Sequence, residues 1–103
     1  NNTDRKSGHC LVDANQRIWG IDNGLCFAAD FKLRTVIWEF ASEPLGDRLR
    51  AALEPLIENV PLRVAGLLDS DEVEALSERA AELITTGELP VDHTGRRYPW
   101  PLV

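Results

Sequence analysis

The chain has 103 residues and a mass of 11.5 kDa, enough for one compact domain with a single core and too few for a complete two-lobed enzyme. Its 44% hydrophobic and 27% charged residues match an ordinary globular protein, and no apolar run approaches the roughly 18 to 20 residues needed to cross a bilayer. A formal charge of −6, from 17 acids and 11 bases, argues against broad electrostatic binding to nucleic acid or to an anionic membrane surface.

Asn1-Asn2-Thr3-Asp4-Arg5-Lys6 lacks the apolar core of a secretory signal and the pattern of a transit peptide. Cys10 and Cys26 are far apart and have no C-x-x-C spacing, so they read as reduced, buried thiols rather than zinc ligands or a disulfide framework. A cytoplasmic location is expected on both grounds. Methionine is absent even at the first position, and the chain is therefore expected to be a piece of a longer one.

In chain order, residues 10–21 read as two short strands joined by a turn near Asn15. The hairpin delivers Asp22-Asn23-Gly24, a turn-prone triplet, followed by the apolar run Leu25-Cys26-Phe27. Residues 34–41, with Val36, Ile37, Trp38 and Phe40 crowded before Pro44, are expected to form a short buried element. Leu49, Ala52, Leu53, Leu56 and Ile57 recur at helical spacing within residues 45–59, where Pro55 should kink or divide the helix. Asp69-Ser70-Asp71-Glu72 resembles a capping box opening a helix with Val73, Leu76, Ala80, Leu83 and Ile84 inward, stopped by Gly87.

Residues 35–92 hold 13 of the 17 acids against four arginines. With Glu74, Glu78 and Glu82 on one stripe, these read as a solvated helix face. Residues 90–103 are expected to dock as an irregular tail that buries Tyr98 and Trp100. Trp19 and Trp38 are read as core anchors and His93 as a surface residue. No internal repeat or linker is evident, so residues 1–103 are expected to form one domain.

The segment with chemistry runs from Asn2 to Leu11 and resumes at Ile21-Asp22-Asn23-Gly24. Phosphoryl transfer in the kinase fold uses a catalytic-loop Asp to orient and deprotonate the acceptor hydroxyl, with a second metal ligand five positions later. Asp4 and His9 occupy those places, and Asp22 fits the metal-binding Asp of the following Asp-x-Gly turn, with Gly24 expected to allow the turn geometry. A loop and a turn at the two ends of one hairpin can bring Asp4 and Asp22 to a shared nucleotide edge although they lie 18 positions apart. Lys6 is a candidate for neutralising the transferring phosphoryl group, against a solvated alternative. Asn23 is expected to hold the turn by side-chain hydrogen bonds.

Asn2-Thr3-Asp4-Arg5 and Ile21-Asp22-Asn23-Gly24-Leu25 resemble the catalytic motifs of the phosphatidylinositol 3-/4-kinase-related proteins, most closely those of type II phosphatidylinositol 4-kinases. The resemblance extends over nearly the whole chain to an actinobacterial group whose members share the Tyr-Pro-Trp-Pro tail. It implies an α+β fold, a partial protein-kinase-like C-lobe in which catalytic loop and β-hairpin precede a mainly helical half. It also implies ATP and Mg2+ as cofactors, Asp4 and Arg5 as catalytic residue and structural partner, and Asp22, Asn23 and Gly24 at the nucleotide and metal.

Two departures stand out. His9 replaces the Asn that binds the second magnesium, so a structural hydrogen bond or a softer ion such as Mn2+ is the expectation there. No Gly-rich loop precedes a strand lysine, and Lys6 and Lys32 are the only lysines. The expected partners are therefore a missing N-terminal lobe, a nucleotide, and a lipid, protein or small-molecule hydroxyl acceptor. The fragment alone is expected to be inactive, and the rival reading is a pseudokinase or regulatory module without turnover.

Overall fold

The structure, a computed structural model, describes residues 1–102. The architecture is α+β: a 3-10 turn at Ser7–His9, strands β1 (Cys10–Val12) and β2 (Ile18–Gly20), then helices α1 (Asp47–Glu58), α2 (Leu62–Ala65) and α3 (Ser70–Thr86). The chain divides into two units. The first comprises Asn1–Cys26, Phe31–Glu39 and the chain from Asp92 onward, and the second Phe27–Asp30 and Phe40–Val91.

The first unit is built on the expected hairpin, with β1 and β2 antiparallel and Cys10, Leu11 and Val12 opposite Gly20, Trp19 and Ile18. Its turn is organised by Asp13, whose Oδ1 accepts the Asn15 and Arg17 amides at 2.8 and 3.0 Å, as short polar side chains do at turns. Asp13 Oδ2 also accepts the Trp19 indole N–H at 2.9 Å, and the Arg17 guanidinium lies 4.4 Å from the Trp19 ring centroid. Trp19 is thus not the expected core anchor but 47% exposed. A hairpin of two strands has no second layer of its own to bury it.

Residues 34–41 form no regular element, contrary to expectation. Their one buried residue is the polar Thr35. This segment instead supplies backbone partners: the Arg34 amide donates to Asn2 O at 3.0 Å, Arg5 N to Arg34 O at 3.2 Å and Val36 N to Arg5 O at 3.0 Å, pairing Arg5 with Thr35 in a parallel bridge. The tail docks through Arg97 O, which accepts Thr35 N and the Trp38 indole N–H, each at 2.9 Å. Pro99 is buried, but Tyr98 is exposed and Trp100 is 88% exposed, opposite to the expected burial. The Arg97 carbonyl and its guanidinium over the Trp38 ring hold the tail, rather than aromatic burial. Both cysteines are free and half-buried, not the buried thiols expected, and His93 is exposed as expected.

The second unit follows its periodic pattern closely. Asp69 caps α3 by accepting the Glu72 amide at 2.9 Å, and Gly87 closes it in the left-handed conformation at φ 70°, the two local signals that start and stop helices. Ala80 is buried and Val73, Leu76, Leu83 and Ile84 are half-buried, while Glu74, Glu78 and Glu82 face solvent. Helix α1 continues through Pro55 to Glu58 without dividing; the ring's fixed φ suits helical backbone, although it removes one donor and crowds the carbonyl four residues before it. Helix α2 has no strong periodic signal and follows Pro61 at its N-cap.

Helix α1 packs on α3. Ser77 Oγ donates to Leu56 O and Ile57 O, both at 2.9 Å, and Arg50 Nη1 to Ile84 O at 3.1 Å. The ends are tied by Leu45 N to Gly87 O at 2.7 Å and Leu89 N to Glu43 O at 2.8 Å. Leu45, Val60 and Ala80, the buried hydrophobic residues, all lie here, and burying one aliphatic side chain of Leu or Val size is worth about 1.5–3 kcal/mol. Among the described residues, no helix is long and apolar enough to cross a membrane.

Candidate metal centre

The hairpin ladder extends one step beyond its strands: Ile21 N donates to His9 O at 2.9 Å. His9 therefore lies opposite Ile21, and Asp22 is the first residue past the paired backbone. Asp22 takes a left-handed conformation at φ 56°, one that Asp and Asn adopt more readily than most residues. Its side chain turns back so that Oδ2 lies 3.3 Å from His9 Nε2. The glycine expected to relieve this turn does not do so. Gly24 has no positive φ, and a Cβ there would meet open space, because the strain falls two residues earlier.

Asp4 is placed from the other side. Its amide donates to Asn2 Oδ1 at 3.1 Å, an i to i+2 bond that fixes the backbone locally. Thr3 N donates to Leu25 O at 2.8 Å, tying the loop before Asp4 to the chain just past Asp22. As a result one ligand atom each from Asp4, His9 and Asp22 lies within 4.8 Å of the others.

Arg5 clamps this arrangement. Its Nη1 donates to His9 O at 2.9 Å and to Ile21 O at 2.8 Å, and its Nη2 donates to Asn23 Oδ1. A planar guanidinium serves several acceptors at fixed angles, which an ammonium cannot. Asn23 completes the clamp with Nδ2 donating to Gly20 O at 3.3 Å, so its expected turn-holding role is the one its contacts describe. Lys6 is not solvated, as the alternative had it: its side chain is 12% exposed and its Nζ lies 3.3 Å from Asp4 Oδ1.

The tautomer of His9 follows from its neighbours. Nδ1 lies 3.0 Å from Asp4 O; a carbonyl oxygen only accepts, so Nδ1 carries the hydrogen. In the neutral ring Nε2 then presents a lone pair to the Asp22 carboxylate. Two acceptors in contact repel unless a proton or a cation is shared between them. The bond from the far ring nitrogen to a backbone carbonyl is also the usual support of a metal-ligating histidine. The Asp22 side chain is 63% exposed, leaving coordination positions open to solvent or a bound anion. Two carboxylates and one imidazole are a suitable donor set for a divalent cation.

Asp4, Arg5, Lys6, His9, Asp22 and Asn23 are thus brought together, and Gly24 is adjacent without a contact of its own. The sequence reading missed the roles of Asn2 and of the 34–36 backbone. The Asn-x-Asp spacing is a signal for the first, whereas the second is a long-range pairing with no local mark.

Among curated proteins the chain is similar to Protein Rv2133c of Mycobacterium tuberculosis (strain ATCC 25618 / H37Rv), with 37% identity over 105 aligned residues. The match covers 98% of this chain and 38% of that protein, so the chain spans little more than a third of the relative's length. No family model and no solved structure matches the chain.

Proposed function

We propose that these residues form the catalytic-loop and metal-binding part of an ATP-dependent, phosphatidylinositol 3-/4-kinase-like phosphotransferase acting on a hydroxyl acceptor. The observation that carries this reading is the approach of Asp4, His9 and Asp22 to within 4.8 Å of one another across the hairpin. When bound, ATP and its divalent cation, Mg2+ or Mn2+, supply the transferable phosphoryl group and the positive charge that neutralises it. Asp22 is the residue that holds the cation, and Asp4 orients the acceptor hydroxyl and takes its proton. Lys6 fixes the Asp4 carboxylate through their ion pair and adds positive charge where the phosphoryl group would pass. Arg5 and Asn23 act on geometry alone, holding the loop and the turn in register. The acceptor belongs to the lipid, protein or small-metabolite class. The reading requires a phosphate-covering loop and its lysine, which are not found among these 103 residues, and places the site in the cytoplasm.

The test uses the complete reading frame from which the chain comes. ATP with Mg2+ or with Mn2+ is expected to raise its melting temperature, Asp22→Asn to abolish that shift, and Asp4→Asn to keep the shift while stopping ADP formation. A nucleotide shift with no ADP formation in the unmodified protein supports the rival regulatory module. No shift at all refutes a nucleotide site.

A further inference from the structure

We infer that the centre selects Mn2+ over Mg2+, with His9 Nε2 as a direct ligand to the cation that Asp22 holds. The inference rests on the phosphotransferase reading and adds the identity of the ion. Its basis is the orientation of one ring. The bond from Nδ1 to Asp4 O, at 3.0 Å, turns Nε2 toward Asp22 Oδ2 at 3.3 Å, with an Asp4 carboxylate oxygen within 4.8 Å of the cluster. Neighbouring ligands on one octahedral ion at ~2.1 Å stand about 3.0 Å apart and opposed ones about 4.2 Å. The His9–Asp22 pair is therefore already near the spacing of adjacent ligands on one ion.

Nitrogen is what discriminates between the ions. Mg2+ binds oxygen and gives up its water reluctantly, so an imidazole in the set gains it little. Mn2+ shares its preference for carboxylate and phosphate oxygens but is a first-row transition ion that also accepts imidazole. An asparagine at this position would offer Mg2+ an oxygen; His9 does not.

Mn2+ binding to the 103-residue chain can be followed by the loss of the free-ion electron paramagnetic resonance signal, and the bound ion examined for nitrogen modulation of its spin echo. The expected result is bound Mn2+ carrying a 14N signal that persists in His93→Asn, the other histidine variant, and disappears in His9→Asn. Mg2+ should displace the ion only in at least about tenfold excess, and His9→Asn should reduce that excess toward parity. Bound Mn2+ without 14N modulation, or displaced equally well by Mg2+, overturns the inference and leaves a carboxylate cation site intact. Retention of neither ion removes the metal centre on which the proposed function stands. Should His9→Asn lose its folded circular dichroism, the unmodified chain and His93→Asn decide between these outcomes, because the nitrogen signal in them requires no damage to the loop.

Discussion

The two units are held together by different means. The helical unit contains the buried Leu45, Val60 and Ala80 and the side-by-side packing of α1 on α3. The unit that carries Asp4 and Asp22 buries Thr35 and exposes Leu11, Val12, Ile18, Trp19 and Ile21. What it has in place of a core is a set of directional bonds converging on Arg5 and on the 34–36 backbone. Apolar burial is non-directional and tolerates small shifts, whereas hydrogen bonds fix angles and fail when one partner is removed. Ligand atoms that must be held to within about 0.5 Å need such directional bonds in addition to packing.

The contrast is tested most severely by Arg5→Ala, which removes three charge-assisted bonds at once. At about 1.5–3 kcal/mol for a hydrogen bond to a charged group, partly offset by solvent, the expected cost is about 3 kcal/mol or more. It should appear as lost amide-exchange protection at Ile21 together with lost cation binding, and Arg5→Lys should not rescue it. Next comes Leu45→Ala, with an expected cost of about 2–4 kcal/mol from lost burial and the cavity left behind, read as an earlier thermal loss of helical circular dichroism. Asp69→Ala, which removes only the α3 cap, should cost about 1 kcal/mol in the same measurement. If Arg5→Ala costs no more than Asp69→Ala, the polar clamp is not what organises the first unit.

The smallest expected effect concerns the hairpin turn. The Trp19 indole N–H, followed by the Arg17 and Asn15 amides, holds the Asp13 carboxyl below the usual carboxylate value of 3.8. Its stabilisation of the turn is therefore complete above that value and is lost as the pH falls through the lower, folded one. The Trp19 indole proton resonance, followed from neutral pH into acid, should stay constant until below the ordinary carboxylate range. Asp13→Asn should abolish the transition.

These regions also differ in how far the sequence alone reveals them. Helix α3 was legible from end to end because its cap at Asp69, its apolar stripe and its stop at Gly87 are all written within about one turn of where they act. The hairpin was legible for the same reason, and so was the pairing of loop and turn at its ends. Burial was not, because it depends on what other layers supply: Trp19, Tyr98 and Trp100 are apolar by composition yet exposed. The parallel bridge from Arg5 to Thr35 joins residues 30 positions apart through backbone atoms, with no local turn or alternating pattern to announce it. Lys6 looked like any loop lysine until its partner Asp4 was in place.

The positive φ of Asp22 limits which amino acids position 22 can take. A branched Cβ collides with the backbone there at a cost of about 1 kcal/mol or more, while Asp, Asn and Gly escape most of it. In a saturation library at this codon, folded members should concentrate in those three residue types. Only aspartate among them carries a charge, so the backbone and the proposed metal centre favour the same residue for unrelated reasons. The asparagine and glycine members of the library measure how much of the preference for aspartate belongs to the chain's own geometry.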